Sequence, residues 1–204
     1  MKKLLIATTN PGKLAEFQEF LSDVPVELVT LRDIGITATV EETGETFEEN
    51  ARIKASGYAA ISGLPTLADD GGFEIEALGG EPGVHSHRWI HGDREDEDEE
   101  LIHHVLLRLK GIPKEKRGAQ LHLVLVFAVP DGKTWMSEAL VKGEIPFEAS
   151  SYRRKGFPYR SLLYLPEIQK FYNHEELTDE ENKTYNHRRQ AVEELKAVIQ
   201  QTLC

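Results

Sequence analysis

The chain has a single cysteine in 204 residues, Cys204 at its last position. A lone thiol excludes an internal disulfide framework and a multi-thiolate zinc site, and it fits a reducing compartment, so a cytoplasmic location is expected. Long apolar runs are missing too. None approaches the roughly 18 to 20 residues of a membrane-spanning helix, and the stretch Lys2-Lys3-Leu4-Leu5-Ile6-Ala7 stops at Thr8-Thr9-Asn10-Pro11 before it forms a secretory signal. No membrane association is expected. Positive charge is also short: 24 Lys and Arg stand against 35 Asp and Glu, a formal net charge of −11. Such a composition can hardly supply the basic face that a long nucleic acid needs, but a few local lysines and a cation suffice for a small anion. Repeats, low-complexity segments and Pro/Ser-rich linkers are absent, so residues 1–204 are expected to form one domain.

What is present reads as an α/β protein. An apolar strand over residues 4–9 leads through an Asn-Pro-Gly turn into a helical pattern with Leu14, Phe17, Phe20 and Leu21 on one side. Residues 26–31 read as a second strand. Thr46 with Glu49 three residues later is a capping box opening a helix, which Gly63 and Pro65 end. A short apolar run then reaches Asp69-Asp70-Gly71-Gly72, where a strand is expected to surface. The acidic stretch from Asp93 to Glu100 opens a helix with Leu101, Ile102, Val105, Leu106 and Leu109 on one side and Arg108 in its last turn, a charge gradient that complements the helix dipole. Residues 119–129 and 135–141 flank Pro130-Asp131-Gly132 as a hairpin. An irregular segment from Glu148 to Pro166 follows, and a last helix starts near Asn186.

Three places carry chemistry. Adjacent carboxylates on a strand point to opposite faces, so Asp69 and Asp70 can divide the work: one takes a hard cation while the other holds the turn. A solvated Asp-Asp-Gly turn is the competing reading. Thr8, Thr9, Asn10 and Lys13 lie between strand and helix, where backbone N–H groups and a lysine can face an anion, although the P-loop pattern is absent and ordinary turn chemistry would give the same residues. Glu41 and Glu42 precede the second helix and Lys54 lies on it. These are either solvated charges or parts of the same site. The histidines show no metal-ligand spacing.

Taken together, Ala7-Thr8-Thr9-Asn10-Pro11-Gly12-Lys13 with Glu16, then Glu42-Thr43-Gly44 through Ala51 with Lys54, then Gly63-Leu64-Pro65 into Ala68-Asp69-Asp70, then Ala77 to Val84 with Arg88, resemble the inosine triphosphate pyrophosphatase family, the Ham1-like enzymes. The resemblance resumes at Asn186-His187-Arg188. It implies an elongated, two-lobed fold with a central mixed β-sheet flanked by helices and a cleft between the lobes. The implied reaction is hydrolysis of ITP, dITP or XTP to monophosphate and pyrophosphate with Mg²⁺, or alternatively Mn²⁺, as nucleotide-pool cleaning. By motif matching, Asp70 is the general base and a metal ligand with Glu41, and Lys13 assists catalysis. Thr8, Thr9, Asn10, Lys13, Lys54 and Gly71 contact phosphate. Phe157, Tyr159, Arg160, Lys183, His187 and Arg188 form the base end, and a homodimer is implied.

The base end departs from the family pattern. Phe157-Pro158-Tyr159-Arg160-Ser161 stands where the family has Phe-Gly-Tyr/Trp-Asp-Pro, so a cation replaces a carboxylate. Asn182-Lys183 is displaced relative to Asn186-His187-Arg188, and Gly71 replaces a serine. Two further readings follow from these departures: a nucleotide-binding protein without catalysis, and a pyrophosphatase with shifted base specificity.

Overall fold

A computed structural model describes residues 2–173 and 176–203; Cys204 lies outside the described residues. Seven strands form one mixed sheet: β1 (Lys3–Ile6), β2 (Glu27–Thr30), β3 (Thr66–Ile75), β4 (Gly118–Ala128), β5 (Thr134–Glu144), β6 (Tyr164–Leu165) and β7 (Lys170–Phe171), in the order β2-β1-β3-β4-β5-β6-β7. Among the described residues five α-helices accompany it: α1 (Pro11–Phe20), α2 (Phe47–Ser62), α3 (Asp98–Arg108), α4 (Asp179–Tyr185) and α5 (His187–Leu203). The α/β class expected from the sequence is the class observed.

The chain divides into two compact units. The first holds the residues up to Asp70, Leu123–Ala139 and the chain from Arg188 onward; the second holds Gly71–His122 and Leu140–His187. In the first unit β1 pairs in parallel with β2, Leu5 opposite Val29, and with β3, Ile6 opposite Leu67. Parallel neighbours need crossover helices, and α1 and α2 provide them. Its core gathers Leu4 and Ile6, Phe17 and Phe20 of α1, Leu123, Leu125 and Phe127, and Ala191, Leu195 and Ile199 of α5. Helix α2 opens as its sequence requires: Thr46 Oγ1 accepts from Glu49 N at 3.2 Å, and Glu49 Oε2 accepts from Thr46 N at 3.2 Å. Gly63 closes the helix at φ +66°, a left-handed position that costs glycine little.

The second unit has its own core, with Phe73 and Ile75, Leu101, Ile102 and Val105 of α3, Val141, and Tyr159, Leu162, Leu163 and Tyr172. Here β5, β6 and β7 pair antiparallel.

Two elements differ from expectation. Strand β3 does not end at Asp69-Asp70; it runs on through Gly71 and Gly72 to Ile75. Gly72 permits this, because a Cβ there would lie 2.2 Å from Ser86 Oγ and 2.5 Å from Gly83 O. The Gly-Gly step is therefore a close crossing of chain segments inside a strand, and the turn expected from its composition does not form. Helix α4 is not foreseen in the sequence because it is short and polar, with no buried residue to set a periodicity.

Candidate active site

Asp69 and Asp70 sit mid-strand in β3, and their environments pull them apart chemically. Asp69 is 1% exposed. Its Oδ2 lies 3.0 Å from Lys13 Nζ and 3.2 Å from an Arg188 guanidinium nitrogen, and the other arm of Arg188 reaches Glu16 Oε2 at 2.5 Å. Burial opposes a charge on Asp69, but Lys13, Arg188 and Lys54 outweigh it and hold the carboxyl well below its ordinary value. Asp69 is thus a permanent anion, fully engaged.

Asp70 is the opposite case. Burial raises its pKa and Glu42 adds to the effect, against the pull of Lys54, Lys13 and a hydrogen bond from Asn50. Its Oδ2 is buried and makes no hydrogen bond among the described residues. Buried polar atoms are nearly always satisfied, so an orphaned carboxylate oxygen marks a place kept for a ligand or a proton.

Lys54, on α2, is ion-paired with Glu42 Oε1 at 2.9 Å and donates to the Asp69 carbonyl at 3.2 Å. Burial alone would discharge it, but Glu42, Asp69 and Asp70 together raise its pKa, so it stays an ammonium. The carboxylate that meets Lys54 is Glu42, the neighbour of the Glu41 that the motif match names as a metal ligand. Both residues lie in the exposed stretch before α2, and of the two Glu42 forms the ion pair with Lys54, while Glu41 has none among the described residues. The turn carrying Glu42 is pinned to the start of α2, with Gly44 N donating to Asn50 Oδ1 at 2.8 Å. A Cβ on Gly44 would lie 2.5 Å from Glu49 Cβ.

The start of α1 behaves differently from the expected cradle. Asn10 Oδ1 accepts from Gly12 N at 2.8 Å and Lys13 N at 3.2 Å, and Asn10 N donates to Thr8 Oγ1 at 3.2 Å. Pro11 has no N–H, and the capping asparagine engages two of the first-turn donors, those of Gly12 and Lys13. The Lys13 side chain, held by Asp69, remains for an anion. Thr9 is exposed, Thr8 is partly buried, and Gly71 lies within β3.

Of the expected base-end residues, Phe157, Tyr159, Arg160, Lys183 and His187 belong to the second unit and Arg188 to the first. Tyr159 is core: it is stacked on Phe73 at 4.7 Å, and its hydroxyl donates to the Ser86 carbonyl at 2.5 Å. Burial drives its pKa far upward, so it stays a neutral donor. Arg160 is 2% exposed, with its guanidinium carbon 4.1 Å from the Phe157 ring centre and 5.3 Å from that of Tyr172. Tyr172 Oη lies 2.9 Å from His187 Nδ1. Phe157, Arg160, Tyr172 and His187 form one connected cluster. Lys183 is exposed on α4 and paired with Glu180 at 2.9 Å, while Arg188 is turned to Glu16 and Asp69.

Sequence reasoning gives no role to Glu16 or Asn50, and it leaves Glu42 between a solvated charge and a part of the site. Glu16 stands three residues after Lys13, on the same side of α1, and is buried; that spacing is the available signal. His91, Asp96 and Glu100 also draw together, with ligating atoms within 4.8 Å of one another. There Asp96 accepts from Ile90 N and His91 N, and His91 Nε2 is 3.0 Å from Arg94. These bonds close the turn before α3.

Comparison with known proteins adds to this geometry. The Ham1 family profile matches residues 4–198. The chain is 38% identical over 200 residues to the dITP/XTP pyrophosphatase of Bacillus subtilis (strain 168), covering 98% of each chain. It is 42% identical to a dITP/XTP pyrophosphatase of Thermus thermophilus across 95% of this chain and 89% of that one. Among solved structures, a HAM1 protein from Coxiella burnetii superimposes with a TM-score of 0.84 at 34% identity, over 98% of this chain and all of that one.

Proposed function

The chain belongs to the Ham1 family, and from that premise we propose that it is a nucleoside triphosphate pyrophosphatase hydrolysing non-standard purine nucleotides such as ITP, dITP and XTP to monophosphate and pyrophosphate. The curated relatives matched over nearly the whole chain carry that activity in their names, which supports the reading and gives none to a binding-only protein. Asp70 carries the argument: it has an unsatisfied buried oxygen, a raised proton affinity, and two lysines nearby to receive phosphate.

The reaction requires a water oxygen to attack phosphorus, a base to take its proton, and positive charge to offset the oxygens of the phosphoryl group and the departing pyrophosphate. Asp70 takes the proton on its carboxylate. Lys54 and Lys13 meet the polyphosphate as point charges. Asp69 and Glu42, already paired with them, fix where those ammonium groups stand. Asp69 cannot replace Asp70 as base, because its three cationic neighbours leave it little proton affinity.

A hard divalent cation fits this donor set. Asp70 Oδ2 is open, Glu42 is close enough to perturb Asp70 electrostatically, and all the donors are oxygens, as Mg²⁺ or Mn²⁺ prefers. When bound, the ion supplies charge neutralisation at the phosphate oxygens. Glu42 is proposed as a second ligand on its proximity to Asp70, beside the Glu41 that the motif match names. Glu42→Gln is expected to raise the Mg²⁺ concentration for half-maximal activity about 10-fold or more, while Glu41→Gln leaves it near wild type. Magnesium titrations of both variants check this, and equal effects would remove the distinction.

A homodimer and a cytoplasmic setting are proposed from the family alone. The activity itself is tested by incubating the protein with ITP, dITP, XTP, GTP and ATP plus Mg²⁺ and assaying pyrophosphate. Turnover concentrated in the first three supports the reading; turnover of none of the five ends it.

A further inference from the structure

The second unit contains a cation where the family motif has a carboxylate, and its surroundings define what it does. Arg160 is 2% exposed, whereas Phe157 is only partly buried. At 4.1 Å from the ring centre, the buried guanidinium packs over the partly buried Phe157 ring. Arg154, less buried and 5.0 Å from the same centre, is the looser contact. Arg160 also packs near Tyr172, whose hydroxyl meets His187. A group so enclosed is badly placed to present donors to the edge of a base, which is the role its charge first suggests.

We propose that Arg160 is a positioning residue: it backs the Phe157 ring and holds it as a flat platform on which the purine base stacks, without itself reading the base. This rests on the pyrophosphatase reading and on Phe157 as the base-stacking ring. A guanidinium over an aromatic face is attracted by the ring quadrupole, more strongly once desolvated, and its planar shape matches the ring. Every purine presents a π-face, so a stiffer platform strengthens binding of each nucleotide alike and carries no information about the base edge. The substitution of cation for carboxylate is therefore expected to leave the order of substrate preference intact and to act on affinity.

Steady-state kinetics with ITP, XTP and GTP on wild type, Arg160→Met and Arg160→Lys test this. Arg160→Met should raise KM by about 3- to 30-fold, by the same factor for each nucleotide, with kcat within about twofold, the signature of lost uniform binding. Arg160→Lys, which keeps the charge but loses the plane, should recover part of the loss. In a Phe157→Leu background the Arg160 substitutions should have no further effect on KM, since the coupling runs through the ring. An unchanged KM, a factor that differs between nucleotides, or an undiminished effect in the Phe157→Leu background would each overturn the proposal. If Arg160→Met does not fold, the Arg160→Lys pair with and without Phe157 decides the same question. Absence of turnover in the wild type itself would count against the proposed activity instead.

Discussion

Asp70→Asn is expected to lower kcat on ITP by about 10²- to 10⁴-fold, the usual worth of a positioned general base, while the folded protein becomes more stable near neutral pH. Both expectations come from one environment. Burial raises the Asp70 pKa, so its charged form is disfavoured in the folded state. Catalysis needs that charged form, and activity therefore falls in acid as Asp70 takes up a proton, on a limb that a cation bound at the carboxylate draws below the value of the metal-free protein. Asparagine has no proton to lose or gain, and the residual rate of the variant should lose that limb. For stability the sign runs the other way. Between the ordinary value and the raised one, the folded protein binds more proton than the unfolded chain, so stability declines as pH rises through that window and stays reduced above it. The neutral amide of the variant escapes the penalty. Thermal melts of both proteins with chelator present should show the variant higher at neutral pH and the two converging below the ordinary aspartate range. A variant that keeps its rate, or melts lower at neutral pH, would contradict the role given to Asp70.

The placement of this carboxylate was legible in the sequence and its neighbour was not. Asp70, Lys13 and Lys54 stand in motifs whose order along the chain survives in any representation, and the capping box at Thr46 and Glu49 announced the helix that carries Lys54. The pairing of Glu42 with Lys54 is not legible, because neighbouring residues outside a regular element are indistinguishable until something fixes which way each faces. Here that is the bond from Gly44 N to Asn50, a contact across six residues. The local structure at the expected phosphate cradle is undecided in the sequence for a related reason. Asn-Pro-Gly before a helix reads equally well as an anion nest and as a cap, and only coordinates show Asn10 accepting the donors itself. Tyr159 and Arg160 read as ligand contacts in the sequence because a loop with aromatics and cations looks like a lid. Burial, which a sequence with this little periodicity does not reveal, makes one core and the other a support.

Asp69→Ala is expected to be the most destabilising of the substitutions considered, costing about 3–5 kcal/mol and lowering Tm by roughly 6–20 °C for a chain of this size. The mechanism is the exposure of partners more than the loss of attraction. Asp69 is buried between Lys13 and Arg188, and Arg188 is itself 4% exposed. With the carboxylate gone, Arg188 keeps Glu16 but loses one of the anions it pairs with, and Lys13 loses the carboxylate it pairs with in a largely buried setting. The pH dependence should mirror that of Asp70. The folded-state pKa of Asp69 is lowered, so its contribution is fully present above the ordinary aspartate value and disappears as pH falls through the depressed one. The variant should therefore be short of stability at neutral pH and approach wild type only in strong acid. Arg188→Met in the Asp69→Ala background supplies the decisive comparison: removing the stranded cation should restore part of the loss, whereas two independent contacts would give additive losses. Denaturant unfolding at pH 7 of the two single variants and the double one reads the coupling directly. A sub-additive double variant would establish that this half of the aspartate pair holds the charged frame in place, leaving proton transfer to Asp70.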